Sequence, residues 1–199
     1  MAGDRLLRRA ACALGATLVA LPAQAHLVDT GFGAYYDGLA HVAFTPADLL
    51  VVLGLALLAG QRGAGVARPV LVVLPLAWLA GGIAGAAWPS TALPTVATTL
   101  SFALAGVLVA LDAPLRRAAV VALVAALGLL HGLVNGATMA PGGASTLALA
   151  GAVTAVFVLT SVLSAEVTRL GAGWTRTAVR VLGSWIAAAG LLTIGWLAR

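Results

Sequence analysis

Charged side chains are scarce in this 199-residue chain: they make up 9% of it, whereas hydrophobic residues make up 62%. The mean hydropathy is +1.08. Two stretches, 69–111 and 118–165, contain no charged residue at all, and each is long enough for two helices of about 20 residues across a hydrocarbon core about 30 Å thick. This shortage of charge leaves no room for a soluble domain and predicts an integral membrane protein.

Lysine is absent, and cysteine occurs once, as Cys12. The basic residues are arginines placed between apolar runs, which is typical of a membrane protein and argues against nucleic acid as a partner. Residues 1–25 have the features of a cleavable export signal: a basic start, an apolar run, and Ala23-Gln24-Ala25 before His26. Cleavage would remove Cys12 and exclude thiolate ligands and disulfides from the mature chain. An uncleaved anchor helix is the alternative.

Clusters of glycine, proline and arginine divide residues 26–199 into six apolar segments, and we predict an all-α, polytopic membrane helix bundle with six transmembrane helices. The predicted spans are 43–61, 69–88, 92–111, 118–137, 145–167 and 178–198.

The arginines after the signal fall mainly in alternate loops, so the positive-inside rule places those loops in the cytoplasm. The mature N-terminus and the C-terminus are then periplasmic, and the protein lies in the bacterial inner membrane. Most of the five tryptophans are predicted near helix ends, in the interfacial belts; the five are Trp78, Trp88, Trp174, Trp185 and Trp196.

One of only three histidines, His131, lies within an otherwise apolar span. A polar ring among leucines costs free energy unless it is hydrogen-bonded or ligated, so it is a functional hypothesis by default. His131 and Asn135 flank a stripe of Gly128, Gly132 and Gly136, at which another helix can pack closely. The pair is therefore expected to face the bundle interior, either on a metal path or as hydrogen-bonding glue between helices.

The segment that leads into the first predicted span is also polar. Thr45-Pro46 and Asp48 fit an N-cap, a first-turn proline and a capping-box acid, although Asp48 is a candidate metal ligand as well. Asp37 and His41 are four residues apart and share one helical face, so Asp37 would orient the imidazole or act as a ligand beside it. An interfacial amphipathic turn is the alternative. His26, as a new N-terminus, would offer two nitrogen ligands.

Two other acidic residues lie near the cytoplasmic face. Glu166 precedes Arg169 by three residues and Asp112 precedes Arg116 by four, so we expect each carboxylate to pair locally.

These regions resemble the HupE/UreJ family of bacterial membrane proteins, which is associated with nickel or cobalt uptake for hydrogenase and urease. The family motif Phe-His-Gly-x-Ala-x-Gly-x-Glu in the fourth helix is matched from Leu130, with His131, Gly132 and Gly136 identical and Thr138 in place of the glutamate. The resemblance covers residues 26–199 and implies a signal peptide followed by six helices.

The other family motif, His-Pro-x-x-Gly-x-Asp-His at the first helix, is degraded in this chain. His41 precedes Val42 rather than proline, Asp48 precedes Leu49 rather than histidine, and the spacing between them is one residue longer. A ligand of the family pattern is therefore missing.

The leading hypothesis is an inner-membrane permease or metal-handling protein for a divalent transition metal, nickel or cobalt, that supports metalloenzyme maturation. Imidazole and carboxylate also suit copper and zinc. The candidate metal residues are His41 and Asp48 at the outer mouth, His131 and Asn135 deeper, and His26 and Asp37 assisting. No nucleophile and base set for hydrolysis occurs in the sequence, so we expect neither an enzyme nor a permanently bound cofactor.

Two rival functions stay open at this point. The first is a non-transporting membrane accessory subunit of a metalloenzyme or respiratory complex, which would pack against its partner through glycine-rich faces. The missing histidine and glutamate of the two motifs favour it. The second is an electron-transfer protein that holds haem between His41 and His131, which no attachment motif supports. The expected partners are the lipid bilayer, a transition-metal ion, and a metalloenzyme or membrane complex.

Overall fold

A computed structural model describes residues 29–87, 95–139, 146–171 and 173–199. These residues form seven α-helices and no strand, which confirms the all-helical class. The helices are α1 (Ala34–Phe44), α2 (Pro46–Gln61), α3 (Ala64–Ala87), α4 (Thr95–Ala110), α5 (Arg117–Met139), α6 (Thr146–Arg169) and α7 (Trp174–Leu197). The predicted export signal, Cys12, His26 and Trp88 lie outside the described residues.

Four helices, α3, α5, α6 and α7, are long and apolar enough to cross a membrane. The helices α1 and α2 qualify only as a pair, bent by 74° at Thr45. Helix α4 has 16 residues and is about 24 Å long at 1.5 Å per residue, which is less than the hydrocarbon thickness. The chain is thus a multi-pass membrane protein, and its described residues supply four spans by length, or five if the bent pair counts as one.

The break between α2 and α3 is much shorter than the predicted 61–68. It consists of Arg62 and Gly63 alone, because Gly63 has a φ of +84° and turns the chain at once. Helix α3 then runs through Pro69 and Pro75 without ending. A proline removes one backbone donor, but packed neighbours and local adjustment make this tolerable in a membrane helix.

The segment before the first predicted span forms a helix of its own, α1, which the sequence did not predict as a separate element. It packs against α6 so closely that a Cβ on Gly38 would overlap the Ala148 carbonyl, and one on Gly151 would overlap the Tyr35 carbonyl. The bend after α1 lets this helix fold back into the bundle. His41 on α1 is therefore buried.

Helix α2 lies at the centre of the bundle and contacts all six other described helices. Its residues from Val51 to Gly60 are buried, apart from the partly exposed Leu53, because neighbours cover it on every side. A helix that is apolar all round is the form expected in such a position. Any polar side chain on α2 must therefore find its partners inside the protein.

The glycine stripe of α5 packs against α3, as predicted. A Cβ on Gly132 would overlap the Trp78 carbonyl oxygen, and one on Gly136 would overlap that of Gly82. Glycines of α3 approach α5 in return, since Gly81 and Gly85 leave no room for a Cβ beside the backbone of Leu129 and Leu133. The two helices thus meet backbone to backbone, the geometry that small residues permit in membranes.

Trp78 does not lie in an interfacial belt, because this side chain is fully buried in the middle of α3. Its ring lies beside His131 on α5. By contrast, Trp174, Trp185 and Trp196 are exposed on α7, with 80%, 72% and 73% of their surface accessible.

The two acidic residues expected to pair locally behave differently. Glu166 does pair with Arg169, at 3.5 Å on the exposed surface of α6. Asp112 does not pair with Arg116. Its carboxylate instead contacts Arg62, which follows α2, and Arg176, in the first turn of α7, where Nε lies 2.6 Å from Oδ2. We call this end of the bundle, marked by Arg62, Asp112 and Arg176, the arginine end.

Gly132→Ala is expected to destabilise the protein, because the new Cβ would meet the carbonyl of Trp78, which cannot yield without a shift of α3. Overpacking of this kind costs about 1–3 kcal/mol of unfolding free energy. The control is Gly195→Ala in α7, where nothing lies within 4 Å. Thermal unfolding in detergent should show a lower midpoint for the first variant only. Equal midpoints would contradict the close contact of α3 and α5.

Candidate functional site

The carboxylate of Asp48 is the centre of a buried polar cluster. It lies in the first turn of α2, and its Oδ1 is 2.7 Å from Nδ1 of His131 while its Oδ2 accepts a hydrogen bond of 2.8 Å from Nδ2 of Asn135. The capping role predicted for Asp48 is wrong, since α2 has no side-chain cap and both carboxylate oxygens are engaged elsewhere. The reason is position: on a central helix, a carboxylate must pair inside the protein.

Ser101 of α4 completes the surroundings of the His131 ring. Its hydroxyl donates to the Thr98 carbonyl at 2.6 Å, and its oxygen lies 2.7 Å from Nε2 of His131. Because a hydroxyl has one proton, Nε2 must donate to Ser101. A second proton then lies between Nδ1 and Asp48, either on the ring or on the carboxyl. His131 is thus held at both nitrogens, by helices α2 and α4.

Asn135 has one amide atom engaged and one without a partner. Its Nδ2 donates to Asp48 and also to the His131 carbonyl at 3.0 Å, whereas its Oδ1 is buried and accepts no hydrogen bond. The indole Nε1 of Trp78 is likewise buried without a partner, and the Trp78 ring lies 5.5 Å from that of His131. Buried polar atoms without partners are rare, and at such a place they point to a ligand or water.

His41 approaches the same carboxylate from α1. Its Nε2 is 3.8 Å from Oδ2 of Asp48, too far for a hydrogen bond, and its Nδ1 is buried without a partner. The bend between α1 and α2 brings it there, because residues seven apart on one straight helix would be separated by about 10 Å along the axis. We call Asp48, His131, Asn135, Ser101 and His41 the Asp48 cluster; all are buried.

Asp37 does not join the Asp48 cluster. Its Oδ1 accepts hydrogen bonds from the backbone N–H and the hydroxyl of Thr30, at 2.7 and 2.6 Å. Asp37 therefore ties the segment before α1 to the first turn of that helix. It does not orient the imidazole of His41, which was one of its two predicted roles. His26 lies outside the described residues, so its role stays a prediction.

In the part of the chain that the structure describes, no group of three or more histidine, cysteine, aspartate or glutamate side chains is arranged to hold a metal ion. Four members of the Asp48 cluster, Asp48, His131, Asn135 and Ser101, instead form a hydrogen-bonded network, and His41 lies beside it. It nevertheless contains two imidazoles, a carboxylate and an amide oxygen around one point, a donor set that suits nickel, cobalt, copper or zinc. A metal would have to separate Asp48 from His131 to reach both.

Sequence reasoning missed two members of this region, Ser101 and Trp78. A signal for Ser101 was present, because Thr95, Thr98, Thr99 and Ser101 place hydroxyls along an otherwise apolar helix. No comparable signal marked Trp78. Helix α3 is apolar all round, so its sequence does not indicate whether a single aromatic side chain faces lipid or the protein interior.

The family model of the HupE / UreJ protein matches residues 14–193, which is most of the chain and includes every helix that supplies the Asp48 cluster. Searches of curated proteins and of solved structures return no significant match.

Ser101→Ala is expected to lower the free energy of unfolding by about 1–3 kcal/mol, because it leaves the Nε2 proton of His131 buried without an acceptor. Ser161→Ala is the matched control, since its hydroxyl is exposed on α6 and bonds only to the Phe157 carbonyl. Denaturant titrations of both variants in the same detergent check this difference. A loss no larger than that of the control would mean that Ser101 does not hold the ring.

Proposed function

The chain belongs to the HupE/UreJ family, and from that premise we propose that it passes a divalent transition metal, nickel or cobalt, across the bacterial inner membrane. The observation that carries this proposal is the Asp48 cluster, a buried carboxylate flanked by two imidazoles inside an apolar bundle. Ionisable groups at membrane depth are expensive and usually mark the path of an ion or substrate.

Six crossings are part of this proposal. The bent pair of α1 and α2 supplies one, α3, α5, α6 and α7 supply four, and the short helix α4 supplies the sixth. Apart from Arg199, the arginines of the described residues lie at one end of the bundle, so by the positive-inside rule we place the arginine end in the cytoplasm and both termini in the periplasm. On that orientation the Asp48 cluster lies toward the periplasm, since α2 runs about 20 Å from Asp48 to Gln61.

The unpartnered atoms of the Asp48 cluster suggest the order in which a metal ion meets its ligands. An ion that comes from the periplasmic side meets Nδ1 of His41 and Oδ1 of Asn135, which have no partner in the network. The carboxylate of Asp48 then supplies charge neutralisation, which a divalent ion requires on leaving water. His131 becomes available as a ligand only when its Nδ1 gives up the contact with Asp48.

A non-transporting accessory role is the second candidate, and two observations favour it. The described residues include no preset metal site, and the glutamate of the family's second motif is Thr138 here, whose hydroxyl bonds to the Val134 carbonyl. In that case the cluster would serve to fix the helices relative to one another. Metal accumulation by cells separates the two roles.

His131→Gln is expected to abolish nickel or cobalt uptake while the protein still folds, because an amide can replace much of the hydrogen bonding but is a far poorer metal ligand than imidazole. If His131 were only interhelical glue, worth about 0.6–2 kcal/mol, glutamine should substitute with little loss. Uptake of radioactive metal is measured in cells with matched membrane levels. Asp37→Asn serves as a comparison, since Asp37 lies apart from the cluster. Unchanged uptake in His131→Gln would defeat the proposal.

A further inference from the structure

The helices divide into two packing units. Helices α4 and α7 form one, in which glycines bring the backbones together: a Cβ on Gly106 would lie 2.5 Å from the Ala187 nitrogen, and one on Gly183 would lie 2.7 Å from the Ala110 nitrogen. The other five helices form the second unit. The two units meet mainly where α4 packs against α2.

Polar contacts join the units at two places, beside Ser101 near the middle of α4 and around the C-terminal end of α4. At the Asp48 cluster, Ser101 of α4 meets Nε2 of His131. At the arginine end, Arg62 contacts the Asp112 carboxylate, and Nε2 of Gln61 donates to the Val109 carbonyl at 3.1 Å. Ser101 and Asp112 are separated by about 17 Å along the helix direction.

We call the interface between the two units the seam. Between these polar contacts the seam is apolar, and the backbones of α2 and α4 lie close together. A Cβ on Gly54 of α2 would lie 2.8 Å from the Cβ of Ala105, so the two helices touch there through small groups, with the backbone nitrogen of Gly106 3.7 Å away. A contact between small apolar side chains has no directional hydrogen bond to break when one helix tilts on the other. This point lies between the two polar contacts, about 6 Å from Ser101 and about 10 Å from Asp112 along the helix direction, and has the properties of a pivot.

Asp112 is held in place by its own unit. Arg176 of α7 bonds to its Oδ2, and Arg180 donates to the Ala110 carbonyl at 2.9 Å. Arg62 is the residue that reaches Asp112 from the other unit. The Arg62 and Asp112 side chains are only 13% and 17% exposed, so their contact is better shielded from water than a surface ion pair.

A cavity of about 110 Å³ follows the seam at the arginine end. Gly60, Gln61 and Val167 line it from the larger unit, and Arg176 and Val179 line it from α7. The Gln61 Oε1 is buried there without a partner. The seam is therefore already incompletely filled at this end, and a small displacement of α7 would widen it.

We infer that α4 and α7 move as one body against the other helices, tilting about the contact of Gly54 with Ala105, and that the Arg62–Asp112 contact closes the arginine end. Opening that end separates Arg62 from Asp112, and opening the other end separates Ser101 from His131. Access then alternates between the two sides of the Asp48 cluster, as in transporters built from two rocking units. The inference rests on the proposed transport function, but the motion can be measured without metal.

The test uses a single reporter thiol. In a Cys12→Ser background, which removes the native cysteine, Val179→Cys places a thiol at a 4% exposed position of the cavity wall. The purified protein in lipid nanodiscs, where both faces are accessible, is labelled with a water-soluble maleimide. Arg62→Gln is expected to speed labelling about five- to tenfold, the population shift expected from loss of one ion pair. Arg62→Lys should restore most of the slow rate.

Two further variants make the result specific. Arg169→Gln removes an arginine near the same end, but its partner Glu166 is on an exposed surface, so labelling should not change. Ser101→Ala loosens the opposite end, so the population open at the arginine end falls and labelling should become slower. If Arg62→Gln does not accumulate, slower labelling in Ser101→Ala supports the inference and an unchanged rate overturns it. Faster labelling in Ser101→Ala, or an unchanged rate in folded Arg62→Gln, would overturn the inference.

The two proposals fail separately. Loss of uptake in His131→Gln with an unchanged labelling rate in Arg62→Gln would keep metal transport and reject this motion. Accelerated labelling in Arg62→Gln with normal uptake in His131→Gln would keep the two-unit motion and reject the metal path through the Asp48 cluster.

Discussion

The burial of the Asp48 carboxylate is the constraint on which the rest of the structure depends. An isolated charge in an apolar bundle costs many kcal/mol, so the group must be neutralised or paired. Here Asp48 lies on the central helix and draws His131 and Asn135 from α5, while His41 comes from α1. Through His131 it also engages Ser101 of α4. Direct or indirect contacts with one carboxylate thus fix four helices, α1, α2, α4 and α5, relative to one another.

The glycines follow from the same constraint. His131 can reach Asp48 only if α5 packs deeply against its neighbours, and Gly132 and Gly136 let its backbone contact that of α3. Similarly, Gly38 and Gly151 let α1 lie against α6, which brings His41 within 3.8 Å of the carboxylate. In lipid, where apolar surfaces gain little from meeting one another, close packing and polar contacts supply most of the specificity. In this protein the close glycine contacts of α5 and of α1 occur on the same helices that supply the polar contacts to Asp48.

Much of this was readable from the sequence, and the exceptions have physical causes. The helical class, the glycine stripe and the inward orientation of His131 and Asn135 follow from composition and from the helical period. The local pairing of Asp112 with Arg116 failed because arginines from α2 and α7, remote in sequence, occupy its carboxylate. The capping role of Asp48 failed in the same way, since tertiary contacts outweighed a local motif. The hydroxyl residues of α4 were visible in the sequence, but the pairing of Ser101 with His131 depends on which face of α4 meets α5.

The number of membrane crossings depends on a short helix and a bent helix pair, and a hydropathy profile does not identify either of them as a regular span. The apolar helix α4 falls below the length expected of a straight span, and the pair of α1 and α2 reaches that length only with a bend of 74°. Each is nevertheless tied to the Asp48 cluster, α4 through Ser101 and the bent pair through His41 and Asp48. Irregular backbone at membrane depth is tolerated where it is buried in protein or lines a path for the transported species. The irregular elements and the polar residues therefore occur together.

The most direct test of the central claim is the nickel K-edge X-ray absorption spectrum of the purified protein loaded with one equivalent of nickel. A His26→Ala variant is used, so that His41 and His131 are the remaining histidines. The account predicts nitrogen and oxygen ligation with the outer-shell scattering of two imidazoles. That scattering should fall by half in His131→Gln. A spectrum without imidazole, or a protein that retains no nickel, would contradict the claim that the Asp48 cluster binds the metal.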